Sequence, residues 1–391
     1  MADMMVVMLP PAPVLITDKS AIESLCPEEA RFLYKHLFIN IPQILLNEIL
    51  ADLSKGIDNA LIRVIALANK TRDIDSVINM YYKRLCHESL LGSNIVMDGR
   101  VILSNPSKTV HTKEGTGILI DESTEERNRF RWQLGDFSDE EKQAAKVWRE
   151  QTRNYDLSLY TKGFEKLGVK IPRVKSCPEI PEATEALLGD LSLQNSFLSW
   201  LLLMLNRAPR SSQEAIVERW KRSDERYIKG FAPYAHYYLK VYLTFLIGLE
   251  SNVFSPKSTN RLDLEYCFYL PFCQAFTSKD KFLIKIAPLL LEPFQDFVDP
   301  LELKTDLNRL AKEWDSLPQE EKKERSVHYG KRPQVNKESV VSRLWEKHMA
   351  PHKPFSGNIL SVMPKEEVAR MSDYLMKLTK EIEEFERDPN E

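Results

Sequence analysis

Apolar runs of strand length and apolar positions at helical spacing alternate over the first fifty residues, the pattern of an α/β chain. Val14-Leu15-Ile16 is a continuous apolar run, and Thr17-Asp18 follows at its C-terminal end. Phe38-Ile39-Asn40-Ile41 predicts a second strand. Between them, residues 20–25 predict a short helix. Pro27-Glu28-Glu29 opens a longer one, with acidic residues at its positive end. Pro42 then starts a helix whose apolar positions Ile44, Leu45, Ile49, Leu50 and Leu53 keep the 3.6-residue period. Glu48 is polar among them.

The pattern changes after residue 54. Residues 57–68 and 74–85 predict amphipathic helices, and Asp98-Gly99 between the apolar runs of 94–103 predicts a hairpin. Ile118-Leu119-Ile120 adds a strand, with Gly115-Thr116-Gly117 as a turn before it. Ser138 and Glu141 have capping-box spacing and open a run of long helices to residue 250, punctuated by Pro172, Pro178, Pro181, Pro209 and Pro233. Too long for a loop and too regular for a linker, residues 55–255 predict a mainly helical inserted domain. The α/β pattern resumes over 256–315: helix 262–272, strand 274–278, helix 282–291, strand 295–298 and helix 300–310. Residues 316–391 form a charged tail. It ends in a helix over 365–387, whose stripe of Val368, Met371, Leu375, Leu378, Ile382 and Phe385 suits a protein partner, a second copy or its own domain.

With 391 residues the chain has room for two to three domains. A net charge of −3 argues against a nucleic-acid coat over the whole surface, so such contacts would come from local patches. The five cysteines form no CxxC pair, which predicts reduced thiols and a cytoplasmic setting. The apolar lead-in at 4–16 lacks a basic start and is broken by Pro10, Pro11 and Pro13, a poor secretion signal. No apolar run reaches the roughly 20 residues of a membrane span. The histidines are scattered, Pro351 separates His348 from His352, and no phosphate-loop motif is present.

Four carboxylates stand out by position. Asp18 ends the first strand, Glu48 sits on the proline-started helix, Asp263 opens a helix, and Asp280 follows the strand Ala275-Phe276-Thr277. Three segments carry a resemblance: Val14-Leu-Ile-Thr-Asp18-Lys-Ser20, Ile41-Pro42-Gln-Ile-Leu-Leu-Asn-Glu48-Ile, and Leu262-Asp263 through Phe276-Thr277-Ser278-Lys279-Asp280. Together with Phe297-Val298-Asp299-Pro300, they resemble the PIN-domain nuclease family over roughly a third of the chain. The departure is a long segment between the two halves, which costs little entropy if its ends lie close.

The resemblance implies a PIN-like three-layer α/β/α fold with a short parallel sheet, split into residues 1–54 and 256–315 by the helical insertion. It also implies a metal-dependent endoribonuclease, of a kind that serves as a toxin or anti-phage effector. Asp18, Glu48, Asp263 and Asp280 would bind Mg²⁺ or Mn²⁺ through oxygen. Glu265 is a substitute for Asp263, though on another helical face. The hydroxyls of Ser20, Thr277 and Ser278 would support these ligands, and Lys279 or Lys281 would meet the scissile phosphate.

Local basic patches add the means to hold RNA, with single-stranded DNA as the other substrate. Residues 126–175 hold twelve Lys/Arg against eight Asp/Glu, including Arg127, Arg129 and Arg131 beside Phe130 and Trp132. Residues 207–240 hold eight against four, interleaved with Trp220, Tyr227, Phe231, Tyr234, Tyr237 and Tyr238. Solvated helical faces over core aromatics would look the same. Two other functions stay open: a non-catalytic scaffold on the same fold that binds protein or RNA, and a DNA-directed nuclease.

Overall fold

The computed structural model describes residues 6–8, 12–56, 59–71, 76–103, 108–112, 115–119, 124–153, 156–205 and 208–351. Among them the strands are β1 (Val6–Met8), β2 (Val14–Thr17), β3 (Phe38–Ile41), β4 (Ser76–Ile78), β5 (Val101–Leu103), β6 (Lys108–Thr112), β7 (Gly115–Leu119), β8 (Ala275–Thr277) and β9 (Asp296–Phe297). Helices make up most of the rest, so the fold is mixed α/β and mostly helical.

Five of the strands form one wholly parallel sheet in the order β4-β3-β2-β8-β9. Its three central strands are the most apolar, and every residue of β2, β3 and β8 is buried, as both faces of a parallel sheet demand. Leu15 pairs with Ile39 on one side and Ala275 on the other, and Thr17 with Thr277. From β2 the chain steps outward to β3 and β4, then returns to add β8 and β9 on the opposite side. The winding therefore reverses between β2 and β8. Open α/β sheets bind ligands beside the carboxyl ends of the strands at such a reversal.

The long segment between the sheet's two halves packs through an aromatic cluster. Tyr82 stacks on Phe268 with ring centroids 4.6 Å apart, and Tyr238 of the helix Pro233–Glu250 stacks on Phe268 at 4.7 Å. This anchors the helix Asn260–Cys267, which carries Asp263. The helix Asp139–Arg153 packs against the helix Gln43–Ala51, which carries Glu48, and the Ser54 hydroxyl donates to the Ala145 carbonyl at 3.3 Å.

Several sequence expectations are corrected. Residues 76–78, expected within a helix over 74–85, are β4. Val77 and Ile78 suit a buried strand edge-paired to β3, and the helix starts only at Tyr82. The segment expected to be wholly inserted, 55–255, thus supplies a strand to the sheet. Asp98-Gly99 does not make a hairpin, because Val101–Leu103 pairs with the distant Val6–Met8. Gly99 has φ +87°, and its N–H donates to the Pro271 carbonyl at 2.9 Å, so the turn serves a long-range contact. The true hairpin is β6–β7, and Gly115-Thr116-Gly117 lies in its second strand. The helix expected over 262–272 ends at Cys267 and gives way to a 3₁₀ turn, Leu270–Phe272, around Pro271.

Residues 1–316 and 331–350 form one compact unit. Within it, the helix Val340–His348, from the span read as tail, packs on the helix Pro300–Ser316, and the Trp345 indole donates to the His36 carbonyl at 2.8 Å. The described part of the second unit holds the helix Gln319–His328, braced by an Arg325–Glu321 pair. The helix expected over 365–387 lies outside the described residues. All five cysteines are free, and among the described residues no helix is long and apolar enough to cross a membrane.

Candidate functional site

At the carboxyl end of β2 the backbone stays extended through Asp18, which turns the chain into the helix Lys19–Ser24 as its N-cap. One Asp18 oxygen accepts the Ala21 N–H at 2.9 Å, and the other accepts the Ser20 hydroxyl at 2.7 Å. Ser278, at the end of neighbouring β8, lies close enough for its hydroxyl to lower the Asp18 pKa. The Ser278 oxygen accepts the Asp280 N–H at 2.9 Å, and the Ser20 oxygen accepts the Lys279 N–H at 3.1 Å. The Ser20 hydroxyl therefore laces the ends of β2 and β8 together. Asp280 repeats the role of Asp18 by capping the helix Lys281–Ile286, with one oxygen accepting from Phe282 and Leu283 at 2.7 and 3.1 Å.

The other two acids come from helices. Pro42 caps the helix after β3 and aims Glu48 back toward the end of β2. Its carboxylate accepts from the Tyr266 phenol, whose oxygen in turn accepts the Lys19 N–H at 3.3 Å. Asp263 lies in the first turn of its helix, one turn beyond the capping residue Thr259, so it is not an N-cap. It makes no hydrogen bond or ion pair with any described residue.

The electrostatics show that these acids share one neighbourhood. Burial raises the pKa of Asp18, its hydrogen bonds from Ser20, Ala21 and Ser278 oppose this, and the charge of Asp280 adds to it. Burial pushes Glu48 up to about 7, against the pull of Tyr266 and Lys19, with Asp18 and Asp52 raising it further. Burial also pushes Asp263 well above the usual carboxylate range, reinforced by Glu48, Asp280 and Asp18. Glu265, by contrast, responds to Arg261, Lys83 and Tyr82 and faces elsewhere. As placed, no three His, Cys, Asp or Glu side chains among the described residues are gathered closely enough to hold a metal ion.

Residues not singled out by the sequence complete the site. Asp52 follows Glu48 by four positions, and its buried carboxylate pairs with Lys19 and Lys55, each at 2.6 Å, and with Arg63 at 3.5 Å. The i,i+4 spacing of Glu48 and Asp52, and the i,i+3 spacing of Asp263 and Tyr266, were visible signals on helices already predicted. A cleft of about 250 Å³ opens beside them, walled by Glu48, Asp263, Lys19 and Lys55, and by Trp148 and Arg149 of the helix Asp139–Arg153.

Some of the other residues predicted for the site are engaged elsewhere. The Thr277 hydroxyl donates to the Val298 carbonyl at 2.9 Å and is spent within the sheet. Arg129 is buried and donates to the Thr71 carbonyl at 2.6 Å, because its helix packs against the helix Ala60–Thr71. Arg131 pairs with Glu141 at 2.8 Å. Trp132, Tyr234, Tyr237 and Tyr238 are core residues, the last three because their helix is apolar on nearly every face. Lys279, Lys281 and Arg127 are exposed. Compared with protein-family models, with curated proteins and with solved structures, the chain finds no match.

Proposed function

We propose that this chain is a metal-dependent endoribonuclease of PIN-like α/β/α architecture, with Asp18, Glu48, Asp263 and Asp280 as its carboxylate set. The observation that carries this reading is Asp263: a half-buried carboxylate without any partner, repelled by three other acids across the switch point of a parallel sheet. Such crowding is unfavourable unless a proton or a cation relieves it. The donor chemistry suits a hard divalent ion, being all oxygen, with one oxygen each of Glu48 and Asp280 and both of Asp263 unengaged, and binding would have to draw the side chains closer than they stand. Mg²⁺ or Mn²⁺ held there would supply Lewis acidity and a lowered water pKa for phosphodiester hydrolysis.

The chain's own groups have distinct tasks in this reading. Ser20 and the Ala21 N–H fix the Asp18 carboxylate by hydrogen bonds, and Tyr266 fixes Glu48. Lys19 pairs with Asp52 and donates to the Glu48 carbonyl at 3.2 Å, so its ammonium offsets only part of the acidic charge. Lys279 and Lys281 flank Asp280 with exposed ammonium groups that would meet backbone phosphates.

A non-catalytic scaffold on the same fold is the second reading. It is favoured by the use of Asp18 and Asp280 as helix caps, a structural task that needs no ion. Cleavage of labelled total RNA, tRNA and single-stranded DNA with Mn²⁺, Mg²⁺ or EDTA separates the two. Metal-dependent RNA cutting by the wild type, lost in both Asp18→Asn and Asp280→Asn, is the expected result. No cutting by the purified wild type would favour the scaffold, and cutting of DNA alone would reassign the substrate.

A further inference from the structure

The cleft beside the acids holds three basic side chains of unequal freedom. Lys19 and Lys55 are each committed to Asp52 at 2.6 Å. Arg149 lines the same cleft, half-buried, and makes no hydrogen bond or ion pair with any described residue. Its five donors engage no described residue and are open to a ligand. Its planar fork matches the oxygens of a phosphate. Trp148, packed on the core and also lining the cleft, offers an apolar wall beside it. At about 250 Å³ the space falls below the roughly 300–1,000 Å³ of pockets that swallow a whole ligand. It suits a phosphate and its sugar within a longer strand.

We propose that this cleft is the substrate-positioning subsite for single-stranded RNA, with Arg149 gripping a backbone phosphate adjacent to the one at the acid cluster. The assignment rests on the nuclease reading for its direction, since Glu48 and Asp263 line the same cleft. It gives the intervening segment a function: the helix Asp139–Arg153, packed on the helix that carries Glu48, brings to the cleft a cation that is not paired with Asp52. Lys19 and Lys55 add positive potential without leaving Asp52. Arg149 is a positioning residue here and touches no reacting atom.

Fluorescence anisotropy with end-labelled hexauridylate and hexathymidylate, in EDTA and in Ca²⁺, tests this on the full chain. Arg149→Ala should raise the Kd for hexauridylate about tenfold or more, the size of one charge-assisted contact. It should also flatten the slope of log K against log salt by about 0.7, the loss of one phosphate contact on a single strand. Arg149→Lys should keep the slope while losing part of the affinity. In the wild type, hexauridylate should protect Arg149 from phenylglyoxal, a readout that needs no variant to fold.

Unchanged Kd and slope in Arg149→Ala, or an unprotected Arg149, would overturn the subsite. Tighter binding of hexathymidylate would overturn its assignment to RNA, and binding of neither strand would overturn it outright. A wild type that cuts RNA while Arg149→Ala binds normally removes the subsite and leaves the nuclease. Binding through Arg149 without any cutting does the reverse.

Discussion

The phenol of Tyr266 bridges Lys19 and Glu48: its oxygen accepts the Lys19 backbone N–H at 3.3 Å while its hydrogen goes to the Glu48 carboxylate. Lys19 directly follows Asp18, so one hydroxyl ties the turn after β2 to the helix that carries the second acid. The same bond holds the Glu48 pKa below where burial alone would put it. Tyr266→Phe should therefore push Glu48 further above about 7 and leave its carboxylate without a donor. We expect Mn²⁺ affinity at pH 7.5 to fall by about 10- to 100-fold by calorimetry, and stability to fall by about 1–3 kcal/mol in urea. Unaltered Mn²⁺ affinity in a folded variant would show that Tyr266 serves the core alone.

In the proposed site, Asp263 would pull stability and function in opposite directions. Its carboxylate has no partner and three acidic neighbours, so the metal-free protein bears a repulsion that Asp263→Asn removes. The variant should melt about 2 °C higher than wild type in EDTA, corresponding to about 1 kcal/mol in a chain of this size. With Mn²⁺ the order should invert, because wild type gains from binding and the variant does not. Differential scanning calorimetry with and without the ion reads both halves. A variant that gains equally from Mn²⁺ would remove Asp263 from the ligand set.

How much of this was legible in the sequence depends on how local the cause was. The strands Val14–Thr17 and Phe38–Ile41 announce themselves, because a strand buried on both faces must be an unbroken apolar run. The capping box of Ser138 and Glu141 is equally local, and both of its hydrogen bonds are present. The four acids could be placed for the same reason, each lying one to three residues past a strand or on a patterned helix. Asp98-Gly99 misled because its geometry answers to Pro271, far along the chain. The cleft was invisible, since Arg149 meets Glu48 only through the packing of two helices about a hundred residues apart. Arg129 looked like a ligand for phosphate and is a strut, a distinction that charge and spacing do not encode.

That distinction can be measured. Arg129 donates from the core to the Thr71 carbonyl at 2.6 Å and to the Ser76 hydroxyl at 3.4 Å, joining the end of the helix Ala60–Thr71 to the start of β4. Arg129→Ala should cost about 2–4 kcal/mol in chemical denaturation, as loss of a buried charged donor does. Its effect on oligonucleotide affinity, corrected for folded fraction, should be nil. Arg127→Ala, at an exposed position on the same helix, should leave stability within about 0.5 kcal/mol. If Arg129→Ala folds as well as wild type and binds RNA more weakly, the basic cluster regains the role that its sequence implied.

The acid cluster should also write itself into the pH dependence of stability. Glu48 is raised from 4.5 to about 7, and Asp18 and Asp263 are raised from 3.8. Through that window the native state holds protons that the unfolded chain has released, so stability falls as pH rises. The contribution is fully present below pH 4.5 and lost as pH passes about 7. Thermal melts in EDTA should therefore drop between pH 5 and pH 8, and drop less in Glu48→Gln, which cannot titrate. A divalent ion binds only the ionised carboxylates, so Mn²⁺ should restore more stability at pH 8 than at pH 5. In Glu48→Gln that pH-dependent gain should shrink. A Mn²⁺ gain that is the same at both pH values would mean that the ion binds away from these protons, and the four acids would then be structural caps and neighbours rather than its ligands.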